Sequence, residues 1–374
     1  MVWRYVCIAV LAVGCQNQST DYLLGGSYIK APLKISPEDV SVPVSKSVQF
    51  SATGGTPPYT YSVFSGSGQL SGPVYTAPST IGNAVVSVKD AAGTRLAALI
   101  TIVTDANCPT NYIPVTKNTA VGTTADFCVA KYEMKCTASS PLGTEGTGTN
   151  CTGSPVSQAA NQPWINITQG NAKASCASLG TQYHLITNAE WMTIARDIEA
   201  TASNWSSGTV SSGALNRGHS DNTPPNTLVA STDDNPCSGT GDTCSATTFH
   251  DQRRTHVLSN GQVIWDLSGN AKEYIDWFVL TGRAASGNAA YIELNAPTAG
   301  GSMAVTTFKS ADTGLTSVNG IGKYLPDTDN NNGYAARGGH YNNGVSQQAG
   351  VYLLDFSNAS SAIDPKMGFR CAYQ

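Results

Sequence analysis

Charge is what this 374-residue chain has least of: Asp, Glu, Lys and Arg make up 12% of it, about half the quarter usual for soluble proteins. That scarcity excludes a highly charged coiled coil and the typical disordered tail. Neither sign dominates, because 21 Lys+Arg stand against 25 Asp+Glu and the formal net charge is -4. A chain that grips a phosphate backbone needs a basic surplus, so nucleic acid is not an expected partner. Long hydrophobic runs are missing too. After residue 15 no run approaches the ~18 apolar residues of a membrane-crossing helix, and that part of the chain is expected to be soluble. Signatures of common chemistry are also absent: there is no Gly-x-Ser-x-Gly nucleophile elbow, no phosphate-cradling P-loop and no Cys-x-x-Cys.

What is present is cysteine, 10 in all, together with 37 Gly and abundant Ser, Thr and Asn. Such a cysteine count points either to metal chemistry or to an oxidising compartment. The N-terminus favours the second. Arg4 precedes the apolar run Val6 to Val13, which ends in Gly14-Cys15 and is too short to span a bilayer. Residues 1–14 read as a cleaved export signal. The run Leu11-Ala12-Val13-Gly14-Cys15 resembles a bacterial lipobox, with Ala12 where Leu is typical, and implies lipid on Cys15 and a membrane-tethered mature chain. Gln16, rather than Asp, follows the cysteine and favours outer-membrane or cell-surface delivery. Residues 15–34, polar and then Gly-containing, suit a flexible tether.

Residues 35–104 alternate strand and turn signals. Ser47 to Ala52, Tyr59 to Val63, Asn83 to Val88 and Arg95 to Val103 alternate, broken by Gly54-Gly55-Thr56-Pro57-Pro58 and Asp90-Ala91-Ala92-Gly93. Short strands at this spacing predict a small all-β sandwich. The Gly54 to Tyr61 stretch and Tyr75-Thr76-Ala77-Pro78 resemble bacterial immunoglobulin-like surface modules. With no Cys or His inside it, the segment reads as a spacer.

Residues 107–374 hold Cys108, Cys128, Cys136, Cys151, Cys176, Cys237, Cys244 and Cys371. An even number in an exported region favours disulfides, and the scattered histidines give little support to a zinc site. Spacing does not fix the connectivity. Cys136/Cys151 and Cys237/Cys244 each bracket a Gly/Thr-rich loop and are the preferred local pairs, with Cys108/Cys128 and Cys176/Cys371 completing the set. Two helices are expected. One runs over Asn171 to Leu179; the other opens at the capping box Thr187-Asn188-Ala189-Glu190 and buries Trp191, Ile194, Ala195 and Ile198. The remainder should be irregular structure on a small sheet framework.

Phe127-Cys128-Val129-Ala130-Lys131-Tyr132-Glu133-Met134, Pro163 to Ile167, Tyr183 to Trp191, Trp265 to Tyr274, Arg337-Gly338-Gly339 and Gly368-Phe369-Arg370-Cys371 occur in this order. Together they resemble the formylglycine-generating enzyme (sulfatase-modifying factor) family. The resemblance implies an α+β C-type-lectin-like fold rich in irregular structure, and a Cys176–Cys371 bridge. In the enzymes two redox-active cysteines follow the Gly-Gly pair, bind copper and activate oxygen. The matching positions here are Asn343 and Gln348, and an amide supplies neither soft ligation nor redox chemistry. Iron-dependent relatives carry a separate histidine-bearing helical domain, for which the immunoglobulin-like segment offers no ligands. Neither copper nor iron is therefore expected, nor the family's oxidoreductase activity. An enzyme of the formylglycine-generating class with altered chemistry is the alternative.

Calcium is the expected cofactor. Asp266 and Glu273 flank a Gly-containing turn, an arrangement that suits a hard cation. The resemblance implies calcium held by their carboxylates and by the Gly269 and Ala271 carbonyls. Asp233-Asp234-Asn235 and Asp327 to Gly333 read as solvated loops, the latter lacking the twelfth-place Glu of an EF-hand. Arg217-Gly218-His219-Ser220-Asp221 reads as a structural hydrogen-bonding cluster. The stretch from Arg337 to Phe356 resembles the C-terminal region of lectin-fold surface and phage receptor-binding proteins, some diversified by retroelements. On that pattern Val351, Leu353, Leu354 and Phe356 are framework. His340, Tyr341, Asn342, Asn343, Ser346, Gln347 and Tyr352 are the exposed surface that binds a protein or glycan, Tyr and Asn being suited to adaptable recognition.

Overall fold

The computed structural model describes residues 22–24, 27–29, 31–103, 108–137, 151, 153–245, 248–279, 290–294, 310–311, 314–325, 333–343, 348–358 and 363–374. Cys15 and half of the expected tether lie outside them. Within the tether the structure differs from expectation: Tyr22–Leu24 and Ser27–Ile29 pair as antiparallel strands. Aromatic and aliphatic residues on both sides of Gly25-Gly26 favour that pairing over free coil.

The first unit is all β. One sheet runs in the order Asp39–Pro43, Arg95–Val103, Gly82–Lys89, Thr60–Ser65. Two smaller sheets, Lys34–Ser36 with Ser51–Thr53 and Ser47–Gln49 with Val74–Thr76 and Gln69–Ser71, complete it. Period-2 alternation turns Val86, Val88, Ile100 and Ile102 inward onto Val42, Phe50 and Tyr75, which form one buried core. Asp90 fixes the hairpin turn after Lys89. Its Oδ1 accepts the Thr94 amide at 2.7 Å and its Oδ2 accepts the Thr56 amide at 2.9 Å, joining two loops.

From residue 108 onward short strands alternate with irregular chain, and the bridges Cys108–Cys128, Cys136–Cys151, Cys176–Cys371 and Cys237–Cys244 tie it together. These are the four pairings preferred from the sequence. Helix α1 (Gln169–Ala177) starts two residues earlier than expected, because the Thr168 side chain caps it by accepting the Asn171 amide. Helix α2 (Asn188–Ala200) opens on the expected capping box between Thr187 and Glu190. Trp191, Met192, Ile194, Ala195 and Ile198 are fully buried, and the Trp191 indole donates to the Val351 carbonyl at 2.7 Å. Burial of each large apolar side chain contributes about 1.5–3 kcal/mol.

Two sheets frame this region. Tyr112–Val115, Phe127–Ala130, Cys371–Tyr373 and Tyr183–Leu185 form an antiparallel sheet in that order, bringing its two ends side by side. The larger runs Ile292–Glu293, Lys323–Leu325, Gly350–Asn358, Gly333–Gly338, Lys272–Val279, Met367–Phe369, and α2 packs on its Lys272–Val279 and Gly350–Asn358 strands. Among the described residues the chain is mostly β with these two α-helices. No helix there is long and apolar enough to cross a membrane.

Candidate functional site

The turn from Asp266 to Glu273 joins the strand Val263–Trp265 to Lys272–Val279. Its backbone doubles back sharply, with Asp266, Gly269 and Asn270 all at positive φ. Asn270 holds the turn from within: its Nδ2 donates to Glu133 Oε2 at 2.6 Å and its Oδ1 accepts the Leu228 amide at 2.7 Å. Asp266 is gripped by Arg254, with Nε donating to Oδ1 at 2.8 Å and Nη2 to Oδ2 at 2.6 Å. Glu273 is gripped in the same two-pronged way by Arg370, at 3.0 and 2.6 Å. All four side chains are buried.

This geometry gives the two expected calcium-binding carboxylates other partners. Both carboxylates already have a guanidinium partner, the geometry in which a charge-assisted pair is strongest. The Ala271 amide donates to Glu133 Oε1 and the Gly269 amide to the Gly338 carbonyl. Paired in this way, the Asp266 and Glu273 carboxylates are engaged by guanidinium groups rather than turned, with the Gly269 and Ala271 carbonyls, toward a common point where a cation of 6 to 8 oxygen ligands would sit. Arg254 and Arg370 are brought in by the fold, out of view of a local turn motif. Burial pushes Glu133 well above the carboxylate range, with Asp266 and Glu273 adding to it, and pushes Lys135 down to about 8 against the pull of Glu133.

The loop after Gly333–Gly338 is built on Arg337. Its guanidinium is buried, donating from Nε and Nη2 to Asn188 Oδ1 at 3.0 and 2.7 Å and from Nη1 to the Tyr352 carbonyl. Gly338 and Gly339 both sit at φ +84°, and a Cβ on Gly338 would stand 2.7 Å from the Leu267 carbonyl oxygen. Only glycine fits there. Beyond them the His340 amide donates to Asn343 Oδ1 at 2.9 Å, and Asn343 Nδ2 donates to Gln348 Oε1 at 2.8 Å. The Gln348 amide closes the loop on the Asn343 carbonyl at 3.0 Å. Tyr291 hydrogen-bonds both Asn343 and Asp355, and Asp355 pairs with Lys272 in the interior. Burial raises Asp355, but Lys272 and Ser357 outweigh it and hold the carboxyl below its usual range. Burial, with Lys272 and Lys366 nearby, pushes His340 down to about 3. Its Nδ1 accepts the Asn342 amide, as a neutral ring does.

The expected exposure of this surface is corrected in part. Asn342 is exposed and His340 half-buried, whereas Tyr341, Asn343 and Tyr352 are buried. Tyr352 lies on an interior strand with α2 across one face, and its hydroxyl bonds Glu199 of that helix. Alternation does not distinguish inside from outside on a strand covered on both faces. Tyr341 is held in by backbone bonds to Asn270 and Asn222 and stacks near His219. Ser346 and Gln347 lie outside the described residues. Sequence reasoning missed Tyr291, Lys272 and Asp355. One signal was available: Asp355 interrupts the apolar run Val351 to Phe356, and a charge in such a run needs a buried partner.

The model of the sulfatase-modifying factor enzyme 1-like domain matches residues 110–374. The chain belongs to this family. No curated protein matches it in sequence. Among solved structures it is similar to the Major Tropism Determinant U1 variant, at 15% identity over 86% of this chain and 75% of that one, TM-score 0.33. The P3c variant gives 13% identity, 71% and 53% coverage, TM-score 0.29. An intimin mutant of EHEC O157:H7 gives 13%, 24% and 52%, TM-score 0.18. The chain spans about half the length of the last two. Within the sulfatase-modifying factor family, the two positions where the enzymes carry thiols are side by side in this fold. They are joined as an amide pair, and the eight cysteines of residues 107–374 are all in disulfides.

Proposed function

We propose that this family member is a recognition protein rather than an oxidase: an exported, lipid-anchored surface protein in which an immunoglobulin-like module carries a C-type-lectin-like head that binds a protein or glycan. The observation that supports this reading is the Asn343–Gln348 pair. It keeps the closeness of the two positions and replaces their chemistry, since neutral amides neither ligate copper as thiolates do nor cycle electrons. What remains around it is a cluster of hydrogen-bonding groups, with Asn342 at the surface, His340 half-buried, and Asn343, Gln348 and Tyr291 behind them. Such groups suit hydroxyl- and amide-bearing ligands.

The test pairs two measurements on the purified chain. Glycan and surface-protein arrays should give a specific hit that Asn342→Ala and His340→Ala weaken. Incubation with copper and a Cys-containing peptide should consume no oxygen. Copper-dependent oxygen uptake would overturn the proposal in favour of an enzyme with altered chemistry, and a clean array would leave a purely structural envelope protein.

A further inference from the structure

Four arginines are fully buried in the described residues: Arg253, Arg254, Arg337 and Arg370. Arg254 and Arg370 each hold a carboxylate. Arg337 has neutral acceptors on all three nitrogens. Arg253 has neither arrangement. Its Nη2 donates to the Ser203 carbonyl at 3.1 Å, to Asn216 Oδ1 at 3.1 Å and, at 3.4 Å, to Asn204 Oδ1. Its Nε and Nη1 are buried with no acceptor among the described residues, and no ion pair among them includes it.

The groups that contact it add no negative charge. Asn204, Asn216 and His256 are each completely buried. His256 donates from Nε2 to the Asn216 carbonyl at 3.1 Å. Burial first, and then the neighbouring Arg253 charge, push its imidazole down to about 3, so the ring is neutral. Burial alone pushes Arg253 down to about 10, still far above neutral pH, and the guanidinium keeps its proton. The interior therefore carries one positive charge with two N–H groups pointing at no acceptor. An unpaired buried charge is among the least favourable groups a fold can hold, and folds pair or ligate such groups.

We infer that Arg253 is the anchor of a buried site for a small monovalent anion of the halide class, chloride under physiological conditions. One positive charge calls for one negative charge, which argues against a divalent oxyanion. Both orphan groups of Arg253 are donors, so a ligand against them needs only to accept hydrogen bonds, as a halide does; the buried, unbonded Nδ1 of His256 is instead an acceptor, which a water would serve. The burial of the whole Arg253 side chain favours a single compact ion over a carboxylate with a hydrocarbon tail. A water molecule would accept the same hydrogens but leave the charge uncompensated.

Thermal unfolding of the full chain in sodium chloride, sodium bromide and sodium gluconate at equal ionic strength tests this. Chloride and bromide should raise Tm by several degrees over gluconate, with a dependence that saturates as a single site does. Arg253→Met, which keeps the aliphatic stem, should abolish the difference. Equal Tm in all three salts would overturn the site, as would a halide effect that survives R253M. Crystals of the unsubstituted chain grown in bromide decide the matter independently of how the variant folds. An anomalous peak against Nε and Nη1 is expected, and an ordered water there without anomalous signal would overturn the inference.

Discussion

At the scale of single residues, the interior of this protein is decided by which partner each charge finds. Glu273 is buried and its carboxyl is pushed up by burial even against the pull of Arg370; without that guanidinium it would be an uncompensated charge. Arg370→Met is therefore predicted to cost about 3–5 kcal/mol, read as a lowered urea midpoint, and adding Glu273→Gln to it should recover part of the loss. A double variant no less stable than the unsubstituted chain would show that the pair contributes nothing. The Asn343–Gln348 contact makes a second prediction. Thiols in place of these two hydrogen-bonded amides, in N343C/Q348C, should bind Cu(I) more tightly than the unsubstituted chain does, because soft thiolates select that ion. Failure of the double variant to bind copper in its reduced form would mean that the loop does not preserve the arrangement of the enzymes.

At the scale of elements, what was legible in the sequence is what local physics controls. The capping box of α2 and its buried stripe of Trp191, Ile194 and Ile198 follow from spacing alone, as do the alternating strands from Gly82 to Val103. Tyr352 was misread because an interior strand covered on both faces has no polar side for alternation to reveal, and Lys272–Asp355 because its partners are 83 residues apart. The start of α2 is itself testable. Glu190 Oε2 accepts the Thr187 amide at 2.8 Å while its Oε1 meets His184 Nε2 at 2.8 Å. Thr187→Ala should cost about 0.5–2 kcal/mol, the usual worth of such a cap, measurable by chemical denaturation. The hydrogen bond to Glu190, with its charge, outweighs burial and raises His184. A raised histidine stabilises the fold fully below its unfolded value of about 6.5, and that contribution is lost as pH climbs through the higher folded value. Stability should thus fall as pH rises from about 6.5, and His184→Gln should flatten this part of the profile. An unchanged slope in that variant would assign the pH dependence elsewhere.

For the whole molecule, the motifs that identify the family turn out to be neighbours in space. Glu133 from the first, Asn270 and Glu273 from the fourth and Arg370 from the last meet in one buried, electrostatically linked cluster, and Arg370 also donates to the Ala130 and Trp265 carbonyls. The signature is thus architectural. It fastens the irregular chain to the two sheets. This network was invisible from spacing, since a carboxylate beside a Gly-rich turn looks the same whether a cation or a guanidinium answers it. The consequence is that long-range ties hold this part of the fold. The Cys176–Cys371 bridge spans a sequence separation of 195, and removing a bridge of this kind typically costs about 2–5 kcal/mol. C176S/C371S should lower Tm and the denaturant midpoint accordingly, while a chelator added to the unsubstituted chain should leave both where they are. A fall in Tm with chelator, restored by calcium, would return Asp266 and Glu273 to the role of metal ligands and require Arg254 and Arg370 to release them.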